Sequence, residues 1–145
     1  MRVTEGKEGK MAFNEVTIDS VRLASISGEG VIILKGKDSE QYLPIYMGPS
    51  QADILKRELM GARFSEPEIY EHFLAGNDIA GSNLESVVVE ESKNGVFHAK
   101  LLLIKGGDSF KMDCPVAVAL ALGFRKKARI LVDENSFQEA GTALS

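Results

Sequence analysis

The chain has 145 residues, an apolar content of 44%, a charged content of 26% and a formal net charge of −4. That length suits a single domain burying roughly 68–70% of its unfolded surface, so folding requires neither disulfides nor metal. The acidic balance argues against a tight, non-specific nucleic-acid binder, which ordinarily carries a basic surplus to displace counterions from phosphate.

The single cysteine, Cys114, excludes an internal disulfide framework and fits a reducing cytoplasm. No apolar run reaches the roughly 18 residues of a membrane-spanning helix. Met1 to Lys10 is mostly polar and lacks the apolar centre of a signal peptide. The expectation is a cytoplasmic protein with no membrane partner.

In chain order, residues 1–12 read as a disordered tail, because Glu5-Gly6-Lys7-Glu8-Gly9-Lys10 is too polar and glycine-rich to pack, and residues 13–145 read as the domain. Val16 and Ile18, then Val21 and Leu23, predict a strand over Glu15 to Ala24 with one break in its alternation. Val31 to Leu34 reads as a buried strand and Gln41 to Met47 as its hairpin partner, joined through Lys35-Gly36-Lys37-Asp38-Ser39. Ser50 has the spacing of a capping box with Asp53 and opens a helix carrying Ala52, Ile54, Leu55 and Leu59, which Gly61 ends. Ser65-Glu66-Pro67-Glu68 is a second capping box, stapled by Phe64 and Ile69, for a helix running to Gly76-Asn77.

Leu84 to Glu90 predicts a strand, and Asn94-Gly95 turns it into Val96 to Lys105, with Phe97, Ala99, Leu101 and Leu103 on one face. Lys105-Gly106-Gly107-Asp108-Ser109 then echoes the first turn and leads through Phe110 to Asp113 to Pro115. Val116 to Leu122, apolar all round, predicts a buried helix stopped near Gly123. Ala128 to Val132 is a last strand, and Ser136 opens a short terminal helix. Each copy of the turn lies in a hairpin followed by a helix. The fold class is therefore α+β, a mixed β-sheet built from two hairpin-plus-helix units with additional helices.

Chemistry is less plainly written. The sequence holds no phosphate loop, no dinucleotide glycine fingerprint, no paired-cysteine zinc site and no His-Glu-x-x-His. His98 alternates with Val96, Lys100 and Leu102, as a half-exposed sheet histidine does, and His72 lies on the polar side of its helix. Glu66, Glu68 and Glu71 share two turns of one helix, where carboxylates either bind a cation or act as a base, or complement the helix dipole for about 0.3–1 kcal/mol each. Asp113 precedes a helix, a position for a cap or for a catalytic carboxylate. Arg125, Lys126, Lys127 and Arg129 form a basic patch that either holds phosphate or complements a helix C-terminus. Cys114 has no neighbouring base and reads as a structural thiol.

Some of these residues resemble a known family. Tyr42-Leu43-Pro44-Ile45-Tyr46-Met47-Gly48 resembles the Leu-Pro-Ile-Trp-Ile-Gly segment of the bifunctional nuclease domain family. Asn94 to Leu101 is similar to its Gly-Thr-Phe-Tyr-Ala-x-Leu strand, and Ala119 to Leu122 with Ala128 to Val132 to its ending, so the likeness covers roughly residues 14–141. The resemblance implies nuclease activity on DNA and RNA, a mixed α+β fold and a homodimer. It also implies a divalent cation such as Mg²⁺ or Mn²⁺, with Glu71 and Asp113 as catalytic carboxylates and Arg125, Lys126, Lys127 and Arg129 toward nucleic acid.

The polar motifs depart from the family. Its Asp-x-Arg-Pro-Ser-Asp-Ala falls on Asp113 to Ala119, where Pro115, Ala117 and Val118 stand for the Arg, Ser and second Asp. Its Arg-Pro-x-Thr-His-Asp falls on Glu66 to Glu71, with Glu66 for Arg, Tyr70 for His and Glu71 for Asp. Methyl groups replace a guanidinium and a carboxylate, the groups that hold phosphate or metal. A catalytically degenerate binding or regulatory module is the competing expectation.

Overall fold

The computed structural model describes residues 2–5, 11–23, 28–61, 82–92 and 95–134. The helix expected from Ser65, with Glu66, Glu68, Glu71 and His72, lies outside these residues, as does the terminal helix expected from Ser136. The described strands are β1 (Arg2–Glu5), β2 (Met11–Leu23), β3 (Gly30–Gly36), β4 (Tyr42–Met47), β5 (Asn83–Glu91), β6 (Phe97–Lys105), β7 (Asp108–Cys114) and β8 (Arg129–Asp133). The described helices are α1 (Pro49–Leu59) and α2 (Val116–Lys126). The class is α+β. Within the stretch read as a tail, β1 pairs antiparallel with Met11–Asn14, since a backbone ladder does not require apolar side chains.

The sheet runs β4-β3-β2-β8-β5-β6-β7, with β1 paired to β2. Strands β2, β3 and β4 form an antiparallel meander followed by α1, and β5, β6 and β7 form a second meander followed by α2. The duplicated turn thus marks a larger duplicated unit. Strand β8 lies between the halves, antiparallel to β2 and parallel to β5. The central strands of the two meanders consequently run in opposite directions, as a two-fold axis through β8 would place them.

Both meanders contain a bulge at the same place. The register of β2 shifts between Ile18 and Ser20, and that of β5 between Leu84 and Ser86. One extra residue reverses which residues face the core. Val16 and Ile18 pack against the core before Asp19, and Val21 does so after it. The break in alternation read from the sequence is this bulge.

Both helices pack on one face of the sheet, α1 over β2 and β3 and α2 over β5, β6 and β8, and they touch each other. Ile32, Leu34, Leu43, Leu55, Val87, Val89, Leu101, Leu103, Leu120 and Leu122 fill that layer. Each such side chain contributes roughly 1.5–3 kcal/mol when fully buried. Close approach is enforced by small residues. A methyl group on Gly30 would overlap Ala52 of α1, and one on Gly123 would come within 3.1 Å of Val87.

Two helix boundaries differ from expectation. Gly48 and Pro49 open α1, and no side chain caps it, so Ser50 is inside the first turn rather than at the cap. Proline suits that first position because its missing N–H would find no intrahelical partner anyway. Gly123 does not stop α2, because its value lies in the approach to β5 and β8. The helix continues to Lys126 and ends at Lys127, which has a left-handed φ of 58°. There Ala128 N–H donates to the Gly123 carbonyl (2.9 Å) and Lys127 N–H to the Phe124 carbonyl (3.3 Å), closing the helix.

Helices α1 and α2 are clamped by an ion pair. Arg125 donates from Nε to Glu58 Oε2 (3.1 Å) and from Nη2 to Oε1 (3.2 Å), with side chains only 10% and 3% exposed. Truncating one partner strands a buried charge, whereas replacing both by apolar groups of similar volume does not. Glu58→Ala should cost about 3–5 kcal/mol in denaturant unfolding, and Glu58→Leu/Arg125→Met should recover most of the loss. Lys127→Gly, which removes left-handed strain, should stabilise by up to about 1 kcal/mol in the same assay.

Candidate functional site

The face of the sheet opposite the helices carries most of the chemistry in the described residues. Its residues are set by register. Across β5, β6 and β7, Glu90 stands opposite His98, Val88 opposite Lys100, and Lys100 opposite Asp113. Facing residues of an antiparallel pair share a side of the sheet, so Glu90, His98, Lys100 and Asp113 lie together at one end of it. They line a cleft of about 440 Å³ with Cys114 and Pro115.

The hairpin that sets this register is not the two-residue turn that Asn94-Gly95 implies, which would place Glu90 opposite Ala99. The ladder closes instead with Ser92 N–H donating to the Val96 carbonyl at 2.8 Å, and Gly95 has φ of 79°. One added residue moves the whole return strand by one position, bringing His98 opposite Glu90. Ala99, Leu101 and Leu103 are buried in the core, as their alternation predicts, and His98 is exposed.

Lys100 Nζ lies 3.6 Å from Asp113 Oδ1, and the Asp113 side chain is 91% exposed. Asp113 therefore does not cap α2. The capping position is Pro115, which has no side-chain cap bond. A second hollow of about 240 Å³ adjoins the cleft and shares Glu90 and Lys100 with it. Val88, Leu102, Leu131 and Phe13 supply its apolar lining, with Lys111 and Arg129 alongside.

The basic residues singled out in the sequence do not gather in one place. Arg125 is held by Glu58 on the helix side of the sheet. Lys126 and Lys127 are exposed at the end of α2. Arg129 pairs in register with Ser86 and lines the hollow on the opposite face. Asp113 is in the cleft, whereas Glu71 lies outside the described residues. The sequence reading missed Glu90 and His98 as a pair. The signal that finds them is hairpin register, which depends on the loop length.

Cys114 lines the cleft but is itself buried, 6% exposed, and burial pushes its thiol up to about 12. Such a thiol is protonated at neutral pH and is a poor nucleophile. Among the described residues no group of three or more His, Cys, Asp or Glu is placed to hold a metal ion. No helix among them is long and apolar enough to cross a membrane.

Comparison with known proteins matches residues 32–145 to the model of a family described as the bifunctional nuclease domain. Similar proteins include two named as uncharacterized proteins of Mycobacterium tuberculosis, one from strain CDC 1551 / Oshkosh and one from strain ATCC 25618 / H37Rv. Each is 28% identical over 141 residues, covering 90% of this chain and 85% of the relative.

The buried thiol should be silent toward an aromatic disulfide reagent in the native protein and react once the chain is unfolded. Because the thiol ionises near 9.0 when unperturbed and at about 12 here, the unfolded chain binds fewer protons in that window. Stability relative to Cys114→Ala should therefore fall as pH rises from about 9 toward 12, as measured by denaturant titration across pH.

Proposed function

The chain belongs to the bifunctional nuclease domain family, and on that premise we propose that it hydrolyses phosphodiester bonds of DNA and RNA at the cleft of Glu90, His98, Lys100 and Asp113. The observation that carries this reading is the convergence of an imidazole, two carboxylates and an ammonium in one cleft. Hydrolysis of a phosphodiester needs a base for the attacking water, an acid for the departing oxygen and a cation for the charge that builds on phosphorus.

Asp113 accepts the proton of the attacking water. His98, held opposite Glu90, protonates the leaving oxygen. Lys100 lies beside Asp113 and offers its ammonium to the phosphate. Arg129, which lines the hollow adjoining the cleft, extends the contact along the nucleic-acid backbone. Arg125 is committed to Glu58, and Lys126 and Lys127, at the end of α2, would meet only a strand that wraps round to the helix side. Glu71 supplies a third carboxylate.

Mg²⁺ or Mn²⁺ fits this cleft only as an ion shared with substrate. Glu90 and Asp113 are the cleft carboxylates, two strands apart by register, and one of them would contact it, with substrate phosphates and water as the remaining ligands that Mg²⁺ commonly takes. When bound, it would neutralise charge on the phosphate. The protein works as a pair of copies in the cytoplasm, where Cys114 stays reduced.

One observation favours a second reading, a catalytically degenerate family member that acts as a binding or regulatory module. Ala117 is buried and Val118 packs against the core, at the two positions where the resemblance expects Ser and Asp, so apolar packing replaces those polar groups.

Purified protein should cleave single- or double-stranded DNA or RNA in the presence of Mg²⁺ or Mn²⁺. His98→Ala should lower the rate by about 10²–10⁴-fold, with Asp113→Asn comparable. Turnover in both variants equal to wild type would remove these residues from the mechanism. Absence of cleavage together with absence of salt-dependent nucleic-acid affinity near physiological ionic strength would select the second reading.

A further inference from the structure

We infer that the outer edge of β7 pairs antiparallel with β7 of a second copy of this chain, in the register that sets Lys111 opposite the partner's Asp113. This deepens the two-copy reading above, on which it rests, and is independent of whether the cleft cleaves nucleic acid.

The two ends of the sheet are unlike. At one end β4 carries Pro44 within its ladder, opposite Ile33. Proline has no N–H, and its place on an edge strand leaves a gap in the outward row of donors that discourages a further strand. At the other end β7 runs from Asp108 to Cys114 without proline and in unbroken register with β6. No described strand pairs with its far side. Ser109, Lys111 and Asp113 are exposed along it. An edge of this length and regularity is a template for another strand unless charge opposes pairing.

Here the charges select a register. With Met112 opposite the partner's Met112, each Lys111 faces the partner's Asp113, and the two-fold axis makes the pair twice. Shifting so that Lys111 faces the partner's Lys111 sets like charges opposite each other. The opposite shift does the same with Asp113 and the partner's Asp113. A slip by one residue sets the outward-facing backbone groups of one β7 opposite the inward-facing groups of the other, so no ladder forms. Facing opposite charges stabilise a pair of strands and facing like charges destabilise it, so the Met112-centred register is the favoured one.

The same arrangement completes the cleft. Lys100 and Asp113 are already neighbours across β6 and β7. Pairing continues that row to the partner's Lys111, placing a second ammonium beside Asp113. A phosphate reaching the cleft would then meet cations from both copies.

Sedimentation velocity over a range of protein concentrations tests the inference, with hydrogen exchange on the same samples and thermal unfolding as the check on folding. Wild type should form a dimer as concentration rises, and amides from Ser109 to Asp113 should gain protection with it. Lys111→Glu alone, or Asp113→Lys alone, should weaken the dimer by about tenfold or more, and the exchange Lys111→Asp/Asp113→Lys should restore most of it. A dimer that ignores both single reversals, with β7 amides unprotected, would overturn the β7 edge while leaving a two-copy assembly intact. A monomer at every concentration would overturn both.

Discussion

The position of β8 is the constraint on which the rest of the molecule depends. Two meanders, each with its own helix, cannot make one core unless something joins their innermost strands. Strand β8 does so, pairing antiparallel with β2 and parallel with β5. Its Ile130 and Val132 face the helix layer, so the strand that completes the backbone ladder also bridges the two halves of the core. Because β2 and β5 run in opposite directions around it, α1 and α2 come to lie side by side, and the Glu58–Arg125 pair becomes possible.

That geometry governs how polar groups are spent. Arg125 belongs to a cluster of cations in the sequence, yet its guanidinium is satisfied by a buried carboxylate on the other helix. A fork of donors matched to a carboxylate is well suited to such a site, where a flexible ammonium would not be. The chemistry left for function lies across the sheet, where register alone assembles it. Glu90, His98, Lys100 and Asp113 come from three strands and are adjacent because the β5–β6 and β6–β7 ladders place them so. Sites built on strands hold their groups more firmly than sites built on loops.

The chain belongs to the bifunctional nuclease domain family over residues 32–145, a span that includes both the cleft and the start of α2. Pro115 occupies the capping position, and Val116 and Ala117 pack into the core. The start of α2 is thus given to packing. The polar groups of the cleft come from strands: Glu90 from β5, His98 and Lys100 from β6, and Asp113 from the end of β7 just before α2. The inferred role of Lys111 follows from the same edge, since β7 ends at the cleft.

Local patterns in the sequence determined a good deal. Alternation marked the strands and a phase break between Ile18 and Val21, the repeated Lys-Gly turn marked two hairpins, and Pro115 marked the start of α2. These are short-range properties, decided by side-chain spacing and by the dihedral preferences of glycine and proline. The tertiary structure alone decided where β8 inserts, because pairing between Val16 and Ile130 spans most of the chain and no local pattern encodes it. It also decided that Gly123 is a point of close approach rather than a helix stop, and that Arg125 is a structural residue. The pairing of Glu90 with His98 lies between the two levels. Alternation places His98 on the polar side of its strand, but only the closed ladder, one residue longer than the Asn-Gly turn implies, sets the carboxylate opposite it.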